Sequence, residues 1–278
     1  MKIQNSTIRI LITLLFSLFA ITSVYPLFWL LINSFKDTGE IMTGNSFGLP
    51  SFWKVANYTD ALVNRNILHY FLNSVLTTAG TILLTLVVSI MFGYALTRMK
   101  WKSSDNVSKS LTLGLMLPNQ IVIVPIFIML RKIHLINSPI SLILTISAFN
   151  LCLATMIVSS FMKSIPYEME EASVIDGANL FTILTRVIVP MLHPAIAAMS
   201  INIFINSWNE FIYALVVITG TKWRTLPVAL MNYASGKFGT DYGGMFAAMI
   251  ITSALPVLLF LFFSKEVETS LSAGALLK

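Results

Sequence analysis

Six stretches free of charged side chains constrain this chain more than anything else in it. They cover residues 10–35, 70–97, 110–130, 135–162, 187–209 and 242–264. Each reaches at least about 20 residues, the length a helix rising ~1.5 Å per residue needs to cross ~30 Å of hydrocarbon. Lipid offers no partner to a backbone N–H or C=O, so a spanning segment must satisfy both within itself, as a helix does. A transmembrane barrel would show alternating segments of ~10 residues instead, and the sequence has none. The pattern predicts an all-α integral membrane protein with six transmembrane helices, forming a single transmembrane domain over residues 1–278.

Composition agrees. Charged residues are 11% of the 278 and apolar residues 56%. A soluble domain carries roughly 25% charge to cover its surface. Disorder, a coiled coil and a disulfide scaffold are excluded on the same grounds. The single cysteine, Cys152, lies inside the fourth run and has no intrachain partner. The first run is too long for a signal-peptide core of about 7–15 residues and no small-x-small site follows it, so it reads as a retained span.

The net charge of +6 fits a membrane protein whose cytoplasmic loops hold Lys and Arg. With the N-terminus inside, the short loop at 98–109 carries Arg98, Lys100, Lys102 and Lys109 against Asp105 alone. Both termini are then expected in the cytoplasm. Outer segments at about 34–69 and 220–241 read either as contacts for an external partner or as connections with an interfacial aromatic belt. No basic stripe interleaved with aromatics points to nucleic acid.

The segment between the fourth and fifth runs has a definite local design. Pro166 suits the first turn of a helix, where its missing N–H costs nothing. Glu168, Glu170 and Glu171 follow where the helix dipole favours negative charge. Asp176-Gly177 is a stop, because glycine reaches left-handed dihedrals cheaply. A second helix is predicted from near Asn179 to Val189, with Pro190 and Pro194 marking entry into the fifth span. A short helix pinned between two spans is a rigid knob through which a cytosolic partner moves both; a bare surface linker is the alternative.

These residues carry a resemblance. Glu171-Ala172-Ser173, Asp176-Gly177-Ala178, Val189-Pro190 and Pro194 resemble the EAA loop of ABC importer permeases, with Ser173 for the usual third Ala and Val189 for the usual Leu. The likeness runs along the chain and is greatest to the MalG-like permeases of carbohydrate importers. It includes Asn57-Tyr58, Asn73-Ser74, Trp208-Asn209-Glu210-Phe211, Leu226-Pro227 and the tail Leu271-Ser272-Ala273-Gly274-Ala275. The resemblance implies a coupling loop over about 164–190, in which Glu170, Glu171, Ala172, Ser173, Asp176, Gly177 and Pro190 dock a cytosolic ATPase. It also implies a homologous second permease, a dimer of ATPase subunits, an extracytoplasmic sugar-binding protein and a place in the plasma or inner membrane. No Gly-rich phosphate loop with Gly-Lys-Ser or Gly-Lys-Thr occurs, so ATP and Mg are expected on the ATPase and no cofactor in this chain. His69, His134 and His193 are scattered and form no metal motif. A transport subunit, not an enzyme, is expected.

Polar residues inside a span are costly unless they face protein or a wet path. On a continuous helix Asn202, Asn206, Asn209 and Tyr213 fall at about 0°, 40°, 340° and 20°, with Glu210 beside them at about 80°. Such a stripe suits a path for a sugar, whose hydroxyls need hydrogen bonds; helix–helix bonding is the alternative. Asn119 and Gln120, after Pro118 in the third run, join the candidate path beside a kink or hinge. Glu210 is the one acidic residue within a predicted span, and its charge state is open. It also supports a different reading, a self-contained secondary transporter or channel using Glu210 as its ion site. A third reading, a membrane assembly factor, leaves the stripe purely structural. In the second run Ser74, Thr78, Thr81 and Thr85 are expected to bond back to their own helix. Gly244, Ala248 and Thr252 in the sixth have the small-residue spacing of close helix packing.

Overall fold

The computed structural model describes residues 6–234 and 240–275, with 6, 232, 234 and 263–275 as backbone alone. Every element among the described residues is helical. The principal ones are α1 Ser6–Asn33, α2 Ile67–Thr97, α3 Ser104–Gly114, α4 Ile123–Lys132, α5 Pro139–Lys163 and α6 Glu168–Ile175. The composite α7, Leu180–Met191, precedes α8 His193–Trp208, α9 Ile212–Val217, α10 Leu226–Ala234 and α11 Tyr242–Ala275.

Four helical stretches are long and apolar enough to cross a membrane: Thr7–Asn33, Ile67–Thr97, Pro139–Lys163 and Tyr242–Phe262. The third and fifth runs, expected as single helices, are each broken, and the count reaches six only if each bent pair is one span. The third run bends by 99° between α3 and Asn119–Lys132. Pro118 sits there with extended backbone, φ −63° and ψ 124°. It lacks an amide hydrogen and disfavours helical dihedrals at the residue before it, so the helix stops rather than kinks. The fifth run bends by 77° between α7 and α8, with Pro190 and Pro194 flanking the turn at Leu192. Within α7, Ile183–Ile188 is wound as a wide π-helical stretch.

Residue contacts divide the chain into two units, residues 1–69 with 229–256, and 70–228 with 257–278. In the first unit α1 is clothed in exposed Leu, Ile and Phe, and its most apolar window buries nothing. Such a surface suits lipid or another chain rather than water. Past Asn33 the chain closes into a polar knot. Lys36 is fully buried, and its Nζ donates to the carbonyls of Asn45 at 2.6 Å and Gly48 at 2.7 Å. Asn57 Nδ2 donates to the carbonyls of Ser34 and Lys36. A Cβ at Gly243 would lie 2.3 Å from the Lys36 carbonyl oxygen, so α11 approaches this knot only because that position has no side chain. The small residues expected at a helix contact are indeed close-packed at Gly244 and Ala248, inside this unit.

In the second unit α2 lies against α5. A Cβ at Gly93 would meet Val158 Cγ1 at 2.8 Å, and one at Gly80 would meet Ile143 Cδ1 at 2.6 Å. The hydroxyl stripe of α2 is buried. Thr81 bonds back to the Thr77 carbonyl as expected, but Ser74 Oγ accepts the Leu226 amide at 2.9 Å, tying the approach to α10. Ile90, Val158, Met162, Ile165, Ile183, Ile188 and Leu192 form one apolar cluster beneath the loop that carries α6. Leu130, Leu142, Ile146, Tyr213, Ala214 and Val217 form another.

Candidate functional site

Two places gather the chemistry, both in the second unit. The first is a cavity of about 270 Å³, whose polar lining is Asn119, Asn150, Asn206 and Glu210, with Phe149, Leu117 and other apolar residues completing it. Asn206 comes from α8, Asn150 and Phe149 from α5, Asn119 from the break after Pro118, and Glu210 from the turn after α8. Asn206 Nδ2 donates to Asn150 Oδ1 at 2.9 Å and to Asn202 Oδ1 at 3.2 Å. Asn150 Nδ2 is itself engaged by the Ile146 carbonyl at 2.8 Å. The lining therefore offers amides and one carboxylate around an aromatic ring, with no cationic side chain.

The candidate stripe is only partly realised, because α8 ends at Trp208 and the chain resumes as α9 at Ile212. A helical count holds across Asn202 and Asn206 and fails beyond. Asn209 folds back onto the Ile205 carbonyl at 2.9 Å and is outside the lining. Glu210 Oε1 accepts the Tyr213 amide at 2.8 Å, so its carboxylate caps the start of α9. Tyr213 is 3% exposed. Its hydroxyl donates to the Asn119 carbonyl at 2.5 Å, and its ring packs 5.3 Å from that of Phe149. It braces the wall from behind. Gln120 is exposed and outside the lining. Sequence reasoning missed Asn150 and Phe149. The usable signal was an Asn in the middle of an uncharged run, the same costly placement that drew attention to α8.

The second place is the loop around α6. Its first turn holds Glu168, Glu170 and Glu171. Gly177 ends it at φ +81°, the left-handed stop expected there. Asn179 Oδ1 accepts the Thr182 amide at 2.9 Å and starts α7. The acidic residues divide. Glu170 turns inward to Arg98, 2.7 Å away, whereas Glu171, Ala172 and Asp176 are exposed. Ser173 bonds back to the Met169 carbonyl, and Pro190 lies near the end of α7. Val174, Ile175 and Phe181 are 60%, 85% and 74% exposed. Apolar side chains thus stand exposed among carboxylates on α6 and at the start of α7.

The family described as the binding-protein-dependent transport system inner membrane component matches residues 86–272. The chain belongs to this family. Among relatives, the permease is 33% identical over 258 residues to the diacetylchitobiose uptake system permease protein NgcG of Streptomyces coelicolor, covering 92% of this chain and 85% of that one. It is 29% identical over 260 residues to the sulfoquinovosyl glycerol transport system permease protein SmoH of Agrobacterium fabrum, covering 94% and 91%. The arabinooligosaccharides transport system permease protein AraQ of Bacillus subtilis is 28% identical over 275 residues, covering 98% and 96%. A solved bacterial ABC transporter that imports the acidic polysaccharide alginate matches in fold, with a TM-score of 0.83 at 19% identity over 96% of this permease and 98% of that chain. The resemblance read from the spacing of Glu171 to Gly177 and the motifs beyond it is borne out at the level of the family. The permease is an integral membrane transport subunit with the ABC permease fold.

Proposed function

We propose that this permease forms half of the translocation path of an ATP-driven oligosaccharide importer. The cavity of Asn119, Asn150, Asn206 and Glu210 carries the proposal. Amides and a carboxylate beside an aromatic ring match sugar chemistry, hydroxyls at the edge of the ring and C–H groups on its face. At about 270 Å³ the cavity lies just below the ~300–1,000 Å³ usual for ligand pockets. It holds a segment of a chain-like solute and leaves the rest to a homologous second permease. The relatives named for diacetylchitobiose and arabinooligosaccharides support this class.

In this reading the two bent pairs count as spans, giving six within one domain over residues 1–278, and both termini are cytoplasmic. The 98–109 loop then lies inside with Lys100, Lys102 and Lys109. The helix α6 serves as the coupling helix, and Glu171, Ala172, Ser173, Asp176 and Gly177 meet one of two copies of a cytosolic ATPase. That ATPase binds ATP and Mg. When it closes, α6 moves and the bundle turns from inward-open to outward-open, ready for sugar from an extracytoplasmic binding protein. The rival reading, an ion site at Glu210, fits less well, because it leaves the spacing from Glu171 to Gly177 and the family match unexplained.

Co-purification from native membranes in mild detergent tests the assembly, with every partner identified by mass. A second permease and an ATPase are expected; recovery of the folded chain alone would overturn the importer reading. Uptake of N,N′-diacetylchitobiose and arabino-oligosaccharides by cells with and without the permease tests the substrate class. Loss of uptake for neither would remove oligosaccharides of these kinds.

A further inference from the structure

Arg98 stands one residue past the end of α2, and its side chain is only 3% exposed. A buried guanidinium is tolerated only when its donors and charge are matched. Here three elements supply the match. Nη2 donates to the carbonyls of Met162 at 2.9 Å and Ile165 at 2.7 Å, at the end of α5, where helix carbonyls lack intrahelical partners. Nε lies 2.7 Å from Glu170 Oε1, as an ion pair without the alignment of a hydrogen bond. The guanidinium carbon sits 4.0 Å from the centre of the Tyr167 ring. Two further bonds run parallel: Tyr94 donates its hydroxyl to Glu170 Oε2 at 2.9 Å, and Tyr167 donates its own to the Thr97 carbonyl at 3.0 Å.

The result is a clamp joining the end of α2, the end of α5 and the start of α6. The two long helices are also locked together higher up, since Gly93 admits Val158 and Ser159 to within contact of its backbone. Close-packed helices move together rather than deform. The α5 helix carries Asn150 to the cavity, where it holds Asn206.

We propose that Arg98 is a positioning residue that passes displacement of α6 to the α2–α5 pair and so to the cavity wall. This rests on the reading that α6 receives the motion of an ATPase. Without Arg98, α6 keeps its exposed docking surface and its bonds to α2 through Tyr94 and Tyr167, but it loses the direct tie to the end of α5, and its displacement reaches the cavity wall much reduced. Lys is no substitute, because a single ammonium cannot hold two carbonyls, a carboxylate and a ring face in one plane.

The test uses the co-purified complex in lipid nanodiscs, with Cys152→Ser and a reporter, Leu117→Cys, in the cavity lining. Maleimide labelling of that cysteine is followed by mass with and without MgATP plus vanadate. Hydrolysis of ATP and recovery of the ATPase are measured on the same samples. With Arg98 intact, nucleotide should change the labelling rate. Arg98→Ala and Tyr94→Phe should retain the ATPase and its hydrolysis while the nucleotide-dependent change shrinks, about tenfold for Arg98→Ala, within the range found for residues along a contact path. Arg98→Lys should behave like Arg98→Ala, and the double variant with Arg98→Ala and Glu170→Gln should lose no more than Arg98→Ala alone, since the two residues act as a unit. A purely structural role lowers yield but leaves the response of the surviving complex intact, and that result overturns the proposal. If Arg98→Ala does not accumulate, Glu170→Gln and Tyr94→Phe decide: an unchanged response in both overturns it. Absence of any nucleotide response with Arg98 intact defeats the coupling reading of α6 instead.

Discussion

Asn150 and Asn206 share a single amide hydrogen bond of 2.9 Å from α8 to α5, at the wall of the cavity. Because Asn150 Nδ2 is taken by the Ile146 carbonyl, its oxygen is the end that faces Asn206. That orientation leaves the second hydrogen of the Asn206 amide to Asn202, so the Asn206 amide donates to both neighbours.

Replacing Asn150 with Leu should therefore do two separable things. Loss of the acceptor should cost about 1 kcal/mol of stability, the net worth of one such bond, read as a small fall in the thermal midpoint of the detergent-solubilised complex. Uptake should fall as well, because Asn206 is then held only through Asn202 and the cavity wall loses one of its amides. Uptake equal to the unsubstituted permease at full expression would remove Asn150 from the path.

Gly177 and Gly243 should both be weakened by alanine, for different reasons and to different degrees. At Gly177 there is open space around a Cβ but φ is +81°, so the cost is backbone strain alone, about 1–2 kcal/mol. Hydrogen exchange should quicken within residues 168–182 and nowhere else, and Gly177→Asn should recover part of the loss.

At Gly243 the conformation is ordinary, but a Cβ would lie 2.3 Å from a backbone oxygen and 2.8 Å from Asn57 Nδ2. Neither can step aside without opening the Lys36 knot. Gly243→Ala should reduce membrane accumulation severely, whereas Gly80→Ala, which meets the flexible end of Ile143, should be mild. Equal expression of both would contradict the packing.

The knot should also be acid-labile. The hydrogen bond from Lys54 holds the Asp37 carboxyl below its usual 3.8, and the backbone amide of Ser51 does the same for Glu40 against 4.5. A lowered folded pKa means that the unfolded chain binds protons first as the pH falls, so stability rises with pH across that window. The contribution is complete above about pH 4.5 and shrinks below it. Hydrogen exchange over residues 34–54 should be slow near about pH 6 and quicken as the pH falls toward about 3, with α5 unaffected. Exchange independent of pH, after correction for the intrinsic rate, would contradict this.

The runs at 10–35, 70–97, 135–162 and 242–264 became long helices, the last continuing past its apolar run to Ala275, because an apolar segment of that length has no other way to satisfy its backbone in lipid. The stop at Gly177 was equally legible, since it depends on one residue's dihedral freedom. The third and fifth runs were not. Hydropathy counts residues and is blind to direction, so it sees no difference between a straight helix and two halves at 99° around Pro118. For the same reason the stripe from Asn202 to Tyr213 dissolved at Trp208: angular arithmetic assumes that the helix continues.

What the sequence determined by itself is whatever one segment settles alone: the membrane class, the short acidic helix with its stop, and the spacing that marks the family. The tertiary structure decided which polar groups meet. It brought Asn150 to Asn206, turned Glu210 into a cap for α9, placed Tyr213 behind the wall rather than in it, and joined Arg98 to Glu170 across 72 positions of sequence. A buried amide or charge must find its partner in space, and nothing in the local chain says which distant group will arrive there.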